Sequence, residues 1–201
     1  MKNNTNILTL DRDPFELFNE WYSEAKEKEI NDPNATTLST VGKDLKPSSR
    51  MVLMKSFNEK GFVFNTNLNS KKSKEITNNS FVCLNFYWKS LRKQILIEGP
   101  AKILDKTDAN ILFAERPRGS KIAAWASNQS SILKNRKELD ANVKKFEKKF
   151  KNLLVPRPSY WSGYIVKPTI FEFWQDMPFR LHDRIEYKKS KNTWNVKRLY
   201  P

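Results

Sequence analysis

The residues best equipped for chemistry lie near the C-terminus, in Arg180-Leu181-His182-Asp183-Arg184, where two guanidinium groups flank the only histidine of the chain. Read as a strand, the segment alternates its side chains between two faces. Arg180, His182 and Arg184 then share one face, and Leu181 and Ile185 share the other. Two fixed cations beside an imidazole suit an anionic ligand; a solvated edge strand with a cationic outer face accounts for the spacing equally well. A second cationic group is Ser70-Lys71-Lys72, which reads as the capped start of a short helix ending at Asn78-Asn79. Positive side chains in a first turn oppose the helix macrodipole. They make sense where an anion docks on the free N–H groups and the ammonium groups close over it. The alternative is two exposed lysines that cost a few tenths of a kcal/mol each. Arg50, on the preceding hairpin, favours the anion.

Much other chemistry lacks its residues. The five glycines, at positions 42, 61, 99, 119 and 163, form no dinucleotide or P-loop fingerprint, and there is no G-x-S-x-G elbow. One histidine and one cysteine leave no metal site and no internal disulfide. Nothing around Ser120 or Ser130 marks a nucleophile. An enzyme built from these residues would hold an organic cofactor by its phosphate, through side-chain cations. The net charge of +15 invites a nucleic-acid reading. The lysines are spread along the chain, however, and the densest group (Lys144, Lys145, Lys148, Lys149, Lys151) falls on the wet face of one helix. Charge alone does not decide: a basic nucleic-acid-binding module stays a rival reading, while the expectation adopted is small phosphorylated ligands and no nucleic-acid partner. No apolar run is long enough to span a bilayer, and Met1-Lys2-Asn3-Asn4 is not a signal peptide, so a reducing, cytoplasmic setting without membrane contact is expected.

The elements that must carry these groups follow from periodicity. Asp13-Pro14 starts a helix whose apolar face is Phe15, Phe18, Trp21, Tyr22 and Ala25, running towards Asn31-Asp32-Pro33. Strands are expected over 35–41, 48–57 and 62–67. On the second of them Arg50, Val52 and Met54 share one face, with Met51, Leu53, Lys55 and Phe57 on the other. A hairpin follows over 81–88 and 91–98, turning at Lys89-Ser90. Gln94 shares a face there with Arg92, Leu96 and Glu98, and Cys83 reads as a small core residue. Gly99-Pro100 should break this run before it resumes over 101–104. A helix capped at Asp105 carries Ile111, Leu112 and Phe113, and Arg116-Pro117-Arg118-Gly119-Ser120 interrupts it. A short helix then leads into Trp125, and an amphipathic one carries Leu139, Val143, Phe146 and Phe150. Strands return over 161–166, 170–175, 179–188 and 194–198. Roughly eight strands, mostly in hairpins, define an α+β chain on an antiparallel sheet or barrel. One domain is expected over 1–201: an N-terminal segment and helix over 1–33, then the barrel with inserted helices over 34–201.

From Arg50 onward the chain closely resembles the pyridoxamine (pyridoxine) 5′-phosphate oxidase family. The matching blocks are Arg50-Met51-Val52-Leu53-Met54-Lys55, Gly61-Phe62-Val63-Phe64-Asn65-Thr66-Asn67 and Ser70-Lys71-Lys72. They continue with Arg116-Pro117-Arg118-Gly119-Ser120, Ala124-Trp125-Ala126-Ser127 and Gln129-Ser130. Glu172-Phe173-Trp174-Gln175, Arg180-Leu181-His182-Asp183-Arg184 and Arg198-Leu199-Tyr200-Pro201 complete the set.

The resemblance implies a split β-barrel homodimer with FMN at the subunit interface. Such a protein oxidises pyridoxamine or pyridoxine 5′-phosphate to pyridoxal 5′-phosphate and reduces O2 to hydrogen peroxide. It places Arg50, Met51, Val52, Leu53, Met54, Lys55, Asn65, Thr66, Lys71, Lys72 and Gln94 at the FMN. Gln129, Ser130, Trp174 and Arg184 are expected to reach FMN from the other subunit. Lys55, Arg116 and Ser120 match the grip on the substrate phosphate; Arg180, Leu181 and His182 match the segment against the pyridine ring. In that family a hydride leaves the substrate's C4′ for flavin N5, and the imine formed from the amine substrate hydrolyses. Arg180 and His182 are the catalytic candidates. The chain departs from the family at Leu112, where Tyr is usual, at Asn65 for a frequent Tyr, at Lys71 for Arg, and at Asp176 for Gly. Arg12 alone remains of a basic N-terminal segment. A flavin- or pyridoxal-phosphate-binding split-barrel protein without turnover is the alternative these departures leave open.

Overall fold

The computed structural model describes residues 8–201. Asp13 starts α1 (Pro14–Lys28) by accepting hydrogen bonds from the backbone N–H groups of Phe15 and Glu16, with Pro14 in the first turn where no N–H is needed. The helix ends earlier than the apolar pattern suggests, at Lys28, and buries Leu17, Phe18, Trp21 and Ala25. Phe18 is fully buried, with ring centroids 4.7 Å from Phe57, 4.8 Å from Phe62 and 5.3 Å from Phe86. Phe18→Ala is expected to cost about 3–5 kcal/mol through the cavity it leaves. A thermal melt would show this as a fall of roughly 2–4 °C per kcal/mol.

The helix packs on a barrel made from β1 (Ala35–Val41), β2 (Pro47–Asn58), β3 (Gly61–Asn67), β4 (Phe81–Trp88), β5 (Lys93–Ile103) and β6 (Trp161–Val166). Strand order β4-β1-β2-β3-β6-β5 closes through a β4–β5 pairing, and every pairing is antiparallel. Closure satisfies each strand's ladder on both sides. β7 (Ile170–Gln175), β8 (Asp183–Ser190) and β9 (Thr193–Leu199) extend the sheet from β5, giving nine strands, each overlapping a stretch expected from pattern.

Three local expectations change for identifiable reasons. The strand over Gly99-Pro100 does not break. There β5 exchanges its partner β7, last paired at Glu98, for β6, first paired at Ala101. A Cβ on Gly99 would lie 1.9 Å from the Lys167 carbonyl oxygen, so glycine is required by close approach, not by a turn. On β2 the pairing register to β3 shifts between Met54 and Ser56. Lys55 is the extra residue, and Phe57 consequently turns inward against the core instead of sharing the exposed face of Met51, Leu53 and Lys55. Cys83 faces away from Val82 and Leu84 on β4 and is half-buried on the outer face, where burial pushes its thiol up to about 11.

The remaining helices are α2 (Lys71–Asn78), α3 (Lys106–Ala114), α4 (Arg118–Ala126) and α5 (Arg136–Lys149). The interruption at Arg116-Pro117 is short, and Arg118, Gly119 and Ser120 form the first turn of α4. α4 and α5 share a small separate cluster of Ile122, Phe150 and Val155 with Trp125, Val143 and Phe146 packed against it.

Candidate active site

The C-terminal end of β3 and the start of α2 build a cationic cradle. Lys72 is buried, and its Nζ lies 3.2 Å from Thr66 Oγ1, 3.3 Å from Ser70 Oγ and 3.2 Å from Gln129 Oε1. All three partners are neutral. Burial, and next the positive charge of Arg50, push the Lys72 ammonium below its ordinary pKa. Ser70 occupies the N-cap position without the side-chain capping bond its type suggests. Its hydroxyl is turned to Ser73, 3.2 Å away, and to Lys72, and the first turn carries no acidic side chain. An ammonium taken out of water with only neutral hydrogen-bond partners, Glu75 offsetting its burial only in part, lies beside an uncapped helix start, an arrangement that suits an anion. Asn65, the residue before Thr66, has a buried Oδ1 with no hydrogen-bond partner.

Arg50 is held differently. Its guanidinium pairs with Glu75 at 3.2 Å and also donates to Thr40 and Ser48. Lys71, two-thirds exposed, lies 3.7 Å from the same carboxylate one helical turn on. Burial by itself would raise Glu75. Hydrogen bonds from Thr40 and Ser48, with the charges of Arg50 and Lys71, outweigh it and hold the carboxyl below its ordinary range. A carboxylate with a depressed folded-state pKa contributes stability above its unfolded pKa of about 4.3 and loses it as pH falls through the folded value. Glu75→Gln is therefore expected to be less stable than the native chain at pH 7, by about 1.5–3 kcal/mol for charge-assisted bonds. Melting curves of the two should converge as the pH is lowered below the carboxylate range. Glu75 was not among the sequence candidates; its position four residues after Lys71 was the available signal.

Arg116 and Ser120 come together across the α3–α4 corner, where Arg116 Nη2 donates to the Ser120 carbonyl at 3.1 Å and the guanidinium lies 5.0 Å from the Trp161 ring centroid. Burial lowers the Arg116 pKa, and its Nε is buried without a partner. Lys55 is exposed, on the same face of β2 as Met51 and Leu53. In the block Arg50–Lys55, Val52 and Met54 point into the core, so only their backbone is available to a ligand; Met51 and Leu53 face outward, 62% and 40% exposed.

A second group lies on the sheet extension. Gln94, Trp174 and Arg184 are cross-strand partners in one row over β5, β7 and β8. Arg184 makes a two-pronged pair with Glu172, at 3.0 and 2.9 Å, and also donates to the Tyr200 carbonyl. The expected strand over 179–188 begins only at Asp183. Pro178–Arg180 is a 3-10 turn, and Phe179 and Arg180 both take left-handed backbone angles, φ 58° and 63°. Two such non-glycine residues cost about 1–3 kcal/mol each. Arg180 therefore does not share a strand face with Arg184; it stands exposed at the turn, beside the exposed Leu181. His182 is mostly buried, its ring centroid 4.6 Å from that of Trp174. It opens onto a cleft of about 480 Å³ that Met177, Leu181, Arg198 and Tyr200 help to line. Asp183, behind it, accepts a hydrogen bond from the Leu8 backbone and pairs with Arg198 at 3.0 Å, which fastens the start of the described chain to its end.

The structure thus unites Thr66, Lys72 and Gln129 in one group, Arg116 with Ser120 in a second, and Trp174 with His182 in a third; Asn65 is not among the first, its side chain lying over Gly163 on the strand face opposite Thr66. Gln129, expected to act from a partner subunit, reaches Lys72 of its own chain. Ser130 is exposed, at φ 70°.

A closed six-stranded antiparallel barrel with extra strands and helices defines a split-barrel protein. Known proteins agree. The family model for pyridoxamine 5′-phosphate oxidase matches residues 22–150, and that for the pyridoxine 5′-phosphate oxidase C-terminal dimerisation region matches 161–201. A pyridoxine/pyridoxamine 5′-phosphate oxidase of Brucella ovis is 46% identical over 100% of this chain and 98% of its own length. Among solved structures, PhzG from Burkholderia lata, in complex with tetrahydrophenazine-1-carboxylic acid, has a TM-score of 0.89 at 30% identity, covering 94% of this chain and 93% of its own. A pyridoxamine 5′-phosphate oxidase-related, FMN-binding protein from Nostoc punctiforme shares the fold, with a TM-score of 0.75 at 12% identity over 96% of this chain and 100% of its own. The chain belongs to the pyridoxamine 5′-phosphate oxidase family.

Proposed function

We propose that this protein is an FMN-dependent oxidase acting as a homodimer. It converts pyridoxamine or pyridoxine 5′-phosphate to pyridoxal 5′-phosphate in the cytoplasm, with O2 reduced to hydrogen peroxide. The observation that carries the reading is the Lys72 ammonium, buried among neutral oxygens of Thr66, Ser70 and Gln129. A flavin phosphate supplies the missing negative charge. Bound there, FMN would take up a hydride and pass the electrons to O2.

The chain's own residues bind and orient. Lys72, Thr66 and Gln129 hold the cofactor phosphate. Arg116, whose desolvated Nε lacks a partner, grips the substrate phosphate with Ser120 and Lys55. Arg180, projected by its strained turn, sets positive charge beside the substrate ring, and His182, braced by Trp174, offers it a hydrogen bond. Gln94, Trp174 and Arg184 lie on different strands from the cradle, as in a site shared between two copies of the chain. Exposed apolar side chains at Met51, Leu53, Phe81 and Tyr87 on the outer faces of β2 and β4 support such an assembly, as does the match to the dimerisation region.

Purified protein is expected to be yellow, to release FMN on denaturation and to form peroxide with either phosphorylated substrate. A colourless dimer that takes up no FMN would sink the reading. A flavin-loaded protein that forms no peroxide would be a binder without turnover.

A further inference from the structure

Arg116 is held differently from the other arginines of the site. Arg50 is clamped by Glu75 and Arg184 by Glu172, so part of their hydrogen-bonding capacity is spent on a carboxylate. Arg116 is half-buried, and no carboxylate among the described residues pairs with it. Its guanidinium lies instead over the Trp161 ring, 5.0 Å from the centroid, with Nη2 donating to the Ser120 carbonyl at 3.1 Å. A ring face attracts a guanidinium and fixes its plane. It does so without occupying an N–H group, which leaves Nη1 for an anion.

Trp161 is itself locked from several sides. It is 4% exposed, and Phe113 of α3 meets its ring edge-on, with centroids 5.0 Å apart and planes at 72°. Its backbone N–H donates to the Pro158 carbonyl at 3.0 Å, and its carbonyl accepts from Arg157 Nη1 at 2.6 Å. Trp161 opens β6 and pairs with Asn67, the last residue of β3, while the Leu68 N–H donates to the Tyr160 carbonyl at 2.7 Å. Thr66, next to Asn67, lies beside Lys72. One strand pairing therefore carries both the cofactor cradle and the platform under Arg116.

We propose that Trp161 is a positioning residue: its ring face holds the Arg116 guanidinium at a fixed place relative to the cradle and so sets the grip on the substrate's phosphate. This deepens, and rests on, the reading of Arg116 as a substrate-phosphate residue. Trp161 acts through Arg116 and not by contact with the ligand. Without the ring, the Arg116 side chain regains rotamer freedom that anion binding must then remove. Binding of a phosphate-bearing substrate is weakened, while the chemistry at the reacting carbon is left as it was.

Flavin-loaded protein, its cofactor cradle filled, is titrated with inorganic phosphate by calorimetry. Trp161→Leu is expected to weaken binding about 5- to 30-fold, the range for a partly desolvated cation–π contact. Trp161→Phe keeps a ring face of weaker quadrupole and should lose less. The KM for pyridoxamine 5′-phosphate should rise in parallel while kcat per bound flavin holds, as for lost uniform binding. A merely structural defect would lower flavin content or kcat instead. In an Arg116→Ala background, where KM is already raised, Trp161→Leu should raise it no further, because the two residues act as one unit. Native protein that binds no phosphate, unchanged affinity in Trp161→Leu, or an equal further loss in the Arg116→Ala background overturns the proposal. Should Trp161→Leu fail to fold, the same comparisons with Trp161→Phe decide. Phosphate binding that depends on Trp161 in a protein that forms no peroxide would defeat the oxidase reading and leave the positioning role standing.

Discussion

Lys72→Met is expected to yield a folded, colourless protein. Lys72 is the one cation of the cradle whose partners among the described residues are all neutral, whereas Arg50 and Lys71 both lie against Glu75. Removing one member of a buried charge pair costs about 2–5 kcal/mol, which corresponds to roughly 30-fold to several thousand-fold weaker FMN binding. Flavin absorbance of the purified variant and titration of apoprotein with FMN measure this. Stability should respond in the opposite sense. A lysine whose pKa is depressed in the fold opposes folding wherever the unfolded chain still holds the proton, and here burial is the main cause. Apoprotein carrying methionine should consequently melt no lower than native apoprotein, while the extra stability conferred by FMN on the native form disappears. A variant that binds FMN as tightly as native protein would remove the cradle from the account.

Arg180→Ala and His182→Ala are expected to do the reverse, keeping flavin and losing turnover. Both residues lie on the β7–β8 connection, whereas the cradle lies on β3 and α2. Losing a charge or hydrogen bond aimed at the reacting group lowers kcat by about 10²–10³-fold. Peroxide formation at saturating substrate, normalised to bound flavin, checks this, and loss of the chromophore in either variant would contradict the division of roles. Arg180→Ala carries a second signature. Alanine and arginine pay the same backbone strain at φ 63°, so its melting temperature should scarcely change. Arg180→Gly should melt higher, since glycine adopts left-handed angles without penalty.

Much of this protein was legible in the order of its residues. Alternation and helical spacing locate α1, the β2–β3 and β4–β5 hairpins and the absence of glycine phosphate loops, because those features depend on neighbours a few residues apart. The pairing of a serine with two lysines at a helix start pointed to an anion for the same reason. Tertiary structure alone decided which of the two lysines is buried. Lys71 and Lys72 are adjacent and chemically equal in the chain, yet one reaches solvent and Glu75 while the other is buried against Thr66 and Gln129, which are 63 residues apart in number but joined by the fold. It also decided that Arg180 leaves the strand of Arg184, since a left-handed turn leaves no periodic trace. Asp176 shows the limit most plainly: Arg92 is distant from it in the chain and meets it only because β5 pairs with β7. Short-range pattern is set by local sterics and solvation; a site is set by which distant segments the burial of the core forces together.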